Sequence, residues 1–450
     1  MIFNSQNVIL MFLPAFFLSY FLADRKLKNA IILIYSIIFY AKGNFDKPEN
    51  IVILSVLLIV NYLFIIIINR CKDKSLSKVV FICAIIFNVA NITFYKIYSL
   101  SGTMPIGLSF YVFHFISLLV DNYRKEVLVK DITVTSYLNY ILYFPKILSG
   151  PITRYKYFLS KYTSKSKLKD NFKIGVFYFA IGLALKCLLS DSLAFIINQI
   201  NVYGFDSIST LTAWMGMYSY TMVLYFDFAG YSLMVIGLAR AMGMDLPMNF
   251  DLPFCSKSVS EFWRRWHITL GQFFRDYIYI PLGGNFNNKN IFRQSINLII
   301  VWLITGLWHG FKLNYIWWAM LICAFIILEK AFISKVYKKN KYIGLIIVNI
   351  FMPFAFLIFS IENIESLNIY ISKLFNFSNI ENMRDFQFIF GLYWKIFLIG
   401  ILFMTKYPRK LMAAIQKNKV LMIVLSIILI LLSAYMINTN SANTFKYFAF

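Results

Sequence analysis

Two histidines are the side chains of this sequence best suited to moving protons. His309 lies in Thr305–Gly310 (TGLWHG), at the end of an apolar run that begins near Leu298, and His267 ends the stretch Glu261–His267 (EFWRRWH). Imidazole titrates near neutral pH. An ionisable side chain at membrane depth is costly and usually faces a cavity or the bundle interior. The chain has only three histidines, and two of them lie in these unusual segments. We therefore expect the two segments to act together.

His309 is the best candidate for a general base. A positioned base that takes the proton of an attacking hydroxyl contributes about 10²–10⁴ in rate. Gly306 and Gly310 flank it, and glycines allow a substrate to approach the backbone closely. Trp308 precedes it, and we expect this ring to contact the substrate or the donor. The alternative is a structural role, in which a buried imidazole bonds to a helix carbonyl.

The stretch around His267 combines aromatic and basic side chains. Trp263 suits a membrane interface, and the guanidinium groups of Arg264 and Arg265 fit phosphate or carboxylate. These residues predict a binding surface for a phosphate-bearing donor, with His267 as a catalytic or donor-binding residue. The alternative is an interfacial helix whose arginines extend their charges to water.

Three further polar positions lie in apolar surroundings. Asp227 is a carboxylate within an apolar helix, and we expect it to pair with an Arg or to orient a His at the substrate site, since either would offset its burial. His114 is predicted to be a packed, hydrogen-bonded core residue. Arg275 and Asp276 are adjacent in sequence and are predicted to form a local ion pair.

Several common catalytic machineries are missing from the sequence. It contains no GxSxG, Walker A or GxGxxG motif. None of its cysteines forms a CxxC pair or has a His at metal-ligand spacing: Cys71, Cys83, Cys187, Cys255 and Cys323. We therefore predict neither a metal site, nor a disulfide framework, nor a bound cofactor.

Composition predicts an all-α polytopic membrane protein. The chain is 60% hydrophobic with a mean hydropathy of +0.68, and its apolar runs are continuous rather than alternating, which favours helices over a barrel. We predict eleven or twelve transmembrane or re-entrant helices. The runs are 8–22, 30–41, 51–69, 79–95, 105–120, 172–199, 211–243, 294–310, 312–330, 342–360, 391–405 and 418–437, with a broken, re-entrant element at 136–152 and a long irregular segment at 245–293.

Charge distribution predicts the orientation. The net charge is +24, and the basic residues cluster between apolar runs, which fits cytoplasmic loops on an anionic lipid surface and argues against nucleic-acid binding. The richer loops follow the first, third and fifth runs, so we expect the N-terminus outside. The first run has no basic region before it and no small-residue cleavage site, so it is predicted to be a retained helix.

Longer motifs resemble the bacterial branch of the membrane-bound O-acyltransferase family, which includes alginate and peptidoglycan O-acetyltransferases and D-alanyl transfer proteins. The resemblance is close over 100–330 and looser over the ends, including the C-terminal helices of 331–450. The motifs are Ser260–Gly284 (SEFWRRWHITLGQFFRDYIYIPLGG), Thr305–Gly310, Gly107–Arg124 (GLSFYVFHFISLLVDNYR), Tyr143–Pro151 (YFPKILSGP) and Tyr225–Arg240 (YFDFAGYSLMVIGLAR).

The resemblance implies one integral membrane domain over 1–450, a ring of helices around a tunnel in the cell membrane. His309 matches the family's catalytic histidine and His267 its second histidine on the cytoplasmic side. The donor would be an acyl thioester of coenzyme A or of a carrier protein. The acceptor would be a hydroxyl of a cell-surface polysaccharide or of an extracytoplasmic partner transferase, and membrane lipids surround the chain.

The identity of the acyl group stays open. Tyr279–Asn285 is similar to the acetyltransferases, whereas Phe226–Leu233 and Pro247–Phe254 are closer to the D-alanyl transfer proteins. Acetyl transfer is the main hypothesis, and D-alanyl transfer to teichoic acid is the alternative. A glycan or lipid-linked transporter is the alternative from another class, but we find none of the internal repeats that mark many transporters.

Overall fold

A computed structural model describes residues 3–98, 104–163, 168–284, 291–333, 337, 340–377 and 383–439. Every regular element in these ranges is helical, which confirms the all-α prediction. Asn285, the last residue of one family-like stretch, lies outside the described residues.

The helices follow the apolar runs and add short pieces between them. In chain order they are α1 Leu13–Leu22, α2 Lys28–Gly43, α3 Glu49–Arg70, α4 Lys74–Tyr98, α5 Leu108–Tyr123, α6 Val134–Leu142, α7 Tyr155–Thr163, α8 Leu168–Ala184, α9 Asp191–Tyr203, α10 Thr210–Ala241, α11 Val259–Arg265, α12 Ile268–Phe274, α13 Ile291–His309, α14 Leu313–Leu328, α15 Lys341–Ser360, α16 Ile364–Phe375, α17 Arg384–Phe403, α18 Lys406–Ile415 and α19 Lys419–Thr439.

Nine helical stretches of the described chain are long and apolar enough to cross a membrane, since a span needs about 20 residues at 1.5 Å each. This confirms a multi-pass membrane protein. Four segments expected to cross or re-enter are shorter: α2, α5 and α6 have 16, 16 and 9 residues, and the first run forms the short apolar helix Val8–Leu22. The nine stretches are Glu49–Arg70, Lys74–Ile97, Asn171–Tyr203, Thr210–Ala241, Ile291–His309, Leu313–Ile333, Tyr342–Ser360, Arg384–Phe403 and Lys419–Thr439.

The chain divides into two compact units, one built mainly from the chain up to Ala180 with Tyr231–Met248, the other from Ile181–Gly230 and Asn249–Met436. In the first unit, α5 is buried from Leu108 to Asn122. His114 on α5 is 1% exposed. Its Nδ1 donates to the Phe110 carbonyl at 2.7 Å, and its Nε2 accepts from the Thr153 amide at 3.4 Å. The prediction of a packed core histidine is confirmed.

In the second unit, α13 and α14 form a helical hairpin joined by three residues. The two helices approach closely at Gly306, where an added Cβ would lie 3.0 Å from both the Ala319 Cβ and the Tyr315 carbonyl oxygen. Because His309 is the last residue of α13, this contact fixes the end of the helix against α14 and holds the imidazole there.

The segment predicted to be irregular, 245–293, contains the two short helices α11 and α12. The Ser258 hydroxyl caps α11 by accepting from the Glu261 amide at 3.0 Å. The buried Glu329 carboxylate accepts from the Val259 and Ser260 amides at 2.7 and 3.1 Å. These bonds satisfy amides that a helix start leaves unpaired, and they tie α11 to the far end of the α14 helix.

Three π-helical segments lie among the described residues of the second unit, one between α8 and α9 and the others directly after α12 and α14. They are Leu185–Ser190, Arg275–Tyr279 and Glu329–Ile333. Single π turns inside α-helices are frequent at functional sites. Each of these three carries a basic residue that enters the description of the site below.

Candidate active site

Both histidines singled out from the sequence line one cavity of about 490 Å³ in the second unit. Trp263 and Arg264 line the same cavity. The volume lies within the range of small-molecule sites. His267 and His309, about forty positions apart in sequence, therefore line the same cavity. This agrees with the expectation that their two segments act together.

His309 is half-buried in an aromatic cage. Its ring meets those of Trp318 and Phe359 edge to face, with centroids 5.1 and 5.0 Å away, and lies 6.4 Å from the Tyr315 ring. An added Cβ on Gly310 would lie 2.6 Å from the Tyr315 ring. The sequence interpretation of Gly306 and Gly310 needs correction, because the space beside them is filled by α14.

His267 is held at the break between α11 and α12. Its backbone is left-handed, with φ 44° and ψ 53°, a conformation that is uncommon for a non-glycine residue and that clusters at functional sites. Its Nδ1 lies 3.1 Å from Asn249 Oδ1, which also accepts from the Thr269 hydroxyl at 2.9 Å. The amide oxygen can only accept, so the proton is on Nδ1 and the lone pair on Nε2.

The imidazole of His267 is neutral at physiological pH. His267 is 4% exposed, and burial lowers its pKa to about 3, because desolvation disfavours the charged form. Its ring meets the Phe228 ring edge to face at 4.6 Å. A neutral His267 can accept a hydrogen bond but cannot neutralise a phosphate.

Positive charge at the cavity comes from three exposed side chains, Arg264, Arg275 and Lys330. No acidic residue lines the cavity among the residues that the structure describes. Arg275 forms the predicted local ion pair with Asp276, at 2.8 Å between Nε and Oδ1. Arg275 and Lys330 were not predicted as site residues, because Arg275 was assigned to its ion pair and Lys330 ends an apolar run as an ordinary flanking lysine does.

Arg265, unlike Arg264, lies outside the cavity lining. Its guanidinium pairs with Glu261 at 2.6 Å, one helical turn away. The two neighbouring arginines of EFWRRWH therefore differ: Arg264 faces the cavity, whereas Arg265 is engaged within its own helix.

The cavity extends along α14. Trp318, Ile326 and Lys330 all line it, and they belong to one helical stretch, Leu313–Ile333. Lys330 follows Trp318 by twelve residues, which corresponds to about 18 Å of helix rise. Because Trp318 contacts His309, the imidazole lies near one end of this stretch and the Lys330 ammonium near the other.

Asp227 and Trp308 lie apart from the cavity lining. Asp227 is fully buried and pairs with the Lys186 ammonium at 2.7 Å, which also contacts Asp191 at 2.8 Å. Trp308 packs beside His309, with ring centroids 4.4 Å apart. The partner of Asp227 is thus a lysine rather than the expected Arg or His. Lys186 lies in the middle of the apolar run 172–199, whose other basic residue, Lys173, is at its start, and that signal was available in the sequence.

The described residues contain no cluster of three His, Cys, Asp or Glu side chains that could hold a metal ion. What the cavity offers instead is an imidazole, a second, neutral imidazole, three cations and a wall of indole and phenyl rings. This set can bind an elongated anionic molecule with an apolar body and can take a proton from a group beside His309.

Residues 51–368 match the family model of the membrane-bound O-acyltransferase family. The chain is 32% identical over 352 residues to the probable alginate O-acetylase AlgI of Pseudomonas aeruginosa, covering 74% of this chain and 66% of the relative. The chain thus spans slightly less than two thirds of the length of that relative.

Two other relatives carry different names. A peptidoglycan O-acetyltransferase of Helicobacter pylori is 29% identical over 420 residues, covering 81% of this chain and 78% of the relative. A teichoic acid D-alanyltransferase of Bacillus subtilis is 30% identical over 321 residues, covering 64% of this chain and 80% of the relative. Since the family model spans more than half of the sequence, the chain belongs to the membrane-bound O-acyltransferase family.

Proposed function

We propose that this chain is an O-acyltransferase that moves an acyl group, acetyl in the first instance, from a thioester donor to a hydroxyl, with His309 as the general base. The observation that carries the proposal is that one cavity has His309 near one end and is lined by the cations Arg264, Arg275 and Lys330. The donor's phosphate would bind the cations and its thioester would reach the imidazole.

The dimensions of the cavity support a pantetheine donor. About 18 Å of helix rise separates the Trp318 level, beside His309, from Lys330. In a phosphopantetheine arm, roughly thirteen bonds separate phosphorus from sulfur, which span about 15 Å at the extended-chain spacing of about 3.5 Å per three bonds. The flexible lysine and arginine side chains bridge a remaining difference of a few ångströms.

The reaction uses one base and no metal in this proposal. The unprotonated ring nitrogen of His309 takes the proton of the acceptor hydroxyl as its oxygen bonds to the thioester carbon. The carbon–sulfur bond then breaks, and the proton passes from His309 to the departing thiolate. The rings of Trp318 and Phe359 around His309 limit the entry of water, which would otherwise hydrolyse the thioester.

His267 takes a binding role in this scheme. A pKa near 3 makes it a weak base, so proton abstraction falls to His309. The lone pair on Nε2 can accept from an amide N–H of the pantetheine arm, and the bond to Asn249 fixes the orientation of the ring. We place the donor end of the cavity on the cytoplasmic side of the cell membrane and the acceptor, a surface polysaccharide or an extracytoplasmic partner transferase, on the other.

D-alanyl transfer from a charged carrier protein is the second candidate. The similarity to the Bacillus subtilis teichoic acid D-alanyltransferase covers 80% of that relative, and the same cavity and base would serve. The two candidates differ in the acyl group and in the molecule that carries the phosphate.

Ester analysis of envelope polymers tests the proposal. A deletion strain is complemented with the wild type or with His309→Ala. Acetyl esters restored only by the wild type support the acetyltransferase, and D-alanyl esters restored only by the wild type support the second candidate. Full ester content in cells with His309→Ala contradicts the role of His309. Unchanged esters with a failure of polymer export favour a transporter.

A further inference from the structure

Three hydroxyl or indole donors of cavity-lining residues have no hydrogen-bond partner among the described residues. They are the indole N–H groups of Trp263 and Trp318 and the hydroxyl of Ser260, and each atom is buried. A buried donor without a partner costs about 1–3 kcal/mol, and native proteins contain few of them. Three of them around one cavity indicate a ligand that supplies acceptors there.

The three donors follow one another along the cavity. Ser260 and Trp263 are three residues apart on α11 and therefore share a helix face. The Trp263 ring lies 5.7 Å from the Trp318 ring, and the Trp318 ring lies 5.1 Å from that of His309. Ser260 is tied to Glu329, the residue before Lys330. The order from the Lys330 end of the cavity to His309 is therefore Ser260, Trp263, Trp318.

An acylated pantetheine arm carries acceptors in the same arrangement. From phosphate to acyl group it has two amide carbonyls and then the thioester carbonyl. Indole N–H is a donor only, so each tryptophan suits a carbonyl oxygen.

We propose, on the basis of the proposed acyltransferase function, that Ser260 and Trp263 bind the amide carbonyls of the donor and that Trp318 donates to the thioester carbonyl oxygen.

This arrangement makes Trp318 a catalytic residue beside the base. When the acceptor oxygen bonds to the thioester carbon, negative charge moves to the carbonyl oxygen, and it leaves again when the carbon–sulfur bond breaks. A fixed donor aimed at that oxygen stabilises the transition state, and removing one such donor lowers kcat by about 10²–10³. Trp318 is 2% exposed, so its indole is held rigidly by packing.

The test exchanges Trp318→Phe, which removes the N–H and keeps a ring, in the full-length protein in lipid vesicles. Thiol release from acetyl-coenzyme A or a D-alanyl carrier protein, with a hydroxyl acceptor, gives kcat and donor KM. We expect kcat to fall at least 10-fold with little change in KM. Trp263→Phe and Ser260→Ala should instead raise the donor KM about 3- to 10-fold with kcat nearly unchanged.

A pair of unreactive donor analogues separates hydrogen bonding from packing. One is the ketone analogue, with a methylene in place of the thioester sulfur, and the other is the same analogue without the carbonyl. Wild type should prefer the ketone about 3- to 10-fold, and Trp318→Phe should lose this preference. Trp302→Phe, which changes another ring of the same cavity wall, is the matched control and should keep it.

Equal preference for the ketone in wild type and Trp318→Phe would overturn the inference while leaving acyl transfer established. If Trp318→Phe does not fold, unchanged donor KM in both Trp263→Phe and Ser260→Ala overturns it. If the wild type transfers no acyl group from either donor, the proposed function fails, and the inference fails with it.

Discussion

Replacing Arg264 with Gln should weaken donor binding, whereas the same change at Arg265 should not. Arg264 is an exposed residue lining the cavity, and Arg265 is engaged with Glu261 outside the lining. An exposed ion pair contributes up to about 1 kcal/mol, and a hydrogen bond to a charged group about 1.5–3 kcal/mol when shielded. Because Arg264 is exposed, we expect about 1 kcal/mol, or roughly a 5-fold rise in donor KM.

The rise in donor KM should grow with the number of cavity cations that are replaced. Combining Arg264→Gln with Arg275→Gln and Lys330→Gln should raise the donor KM roughly 10²-fold if the three contributions add. These charges are exposed, so raising the salt from about 0.1 to 1 M should shrink the difference from wild type. The kcat should change little, because uniform binding affects KM alone.

Steady-state kinetics with acetyl-coenzyme A and with a charged carrier protein, in the same vesicles and at two salt concentrations, measure these values. Arg265→Gln controls for loss of one positive charge in α11. Equal changes in KM for Arg264→Gln and Arg265→Gln would refute the assignment of the phosphate to the cavity cations. An unchanged donor KM in the variant that lacks all three cations would also refute it.

Three further predictions concern stability, measured by thermal unfolding in one detergent. Because the pKa of His267 is lowered to about 3 in the folded chain, only the unfolded chain gains this proton between pH 6.5 and 3. Stability should therefore fall on acidification by up to about 1.4 kcal/mol per pH unit, and His267→Asn should flatten that slope; parallel slopes would contradict the reasoning. Lys186→Met should cost about 3–5 kcal/mol by leaving Asp227 buried without its cation, and adding Asp227→Asn should recover part of the loss; a neutral single variant would argue against the pair. Gly344→Ala should cost about 1–3 kcal/mol, since its Cβ would lie 1.8 Å from a backbone carbonyl, whereas Gly391→Ala meets nothing within 4 Å and should stabilise by up to about 1 kcal/mol; equal effects would show that the backbone adapts freely.

The long apolar helices were predictable from the sequence, because a run of about twenty apolar residues has few other structures available in a membrane. The helices α16 and α18 were not predicted, since Ile364–Phe375 and Lys406–Ile415 are short and mix polar with apolar residues. Their formation depends on tertiary packing, to which a hydropathy pattern is insensitive.

The site was predictable in its residue types but not in its assembly. His309, His267, Trp263 and Arg264 were singled out and line one cavity. Arg265 lies four residues after Glu261, the spacing at which charges pair on a helix, so its ion pair was predictable once Val259–Arg265 was taken to be helical. Trp318 carried no sequence signal at all, since a tryptophan in an apolar helix usually indicates packing or a membrane interface.

The π-helical segments are places where a small change in chain length would alter the orientation of a charged cavity side chain. A π turn accommodates one more residue than an α turn, and each residue of an α-helix rotates the following side chains by about 100°. Glu329–Ile333 carries Lys330 and Arg275–Tyr279 carries Arg275. Losing Glu329 would rotate Lys330 by about 100° relative to the preceding helix while leaving Trp318 in register. If the donor's phosphate binds Lys330 as proposed, single-residue insertions or deletions in this segment would change donor affinity and leave the residues around His309 unchanged.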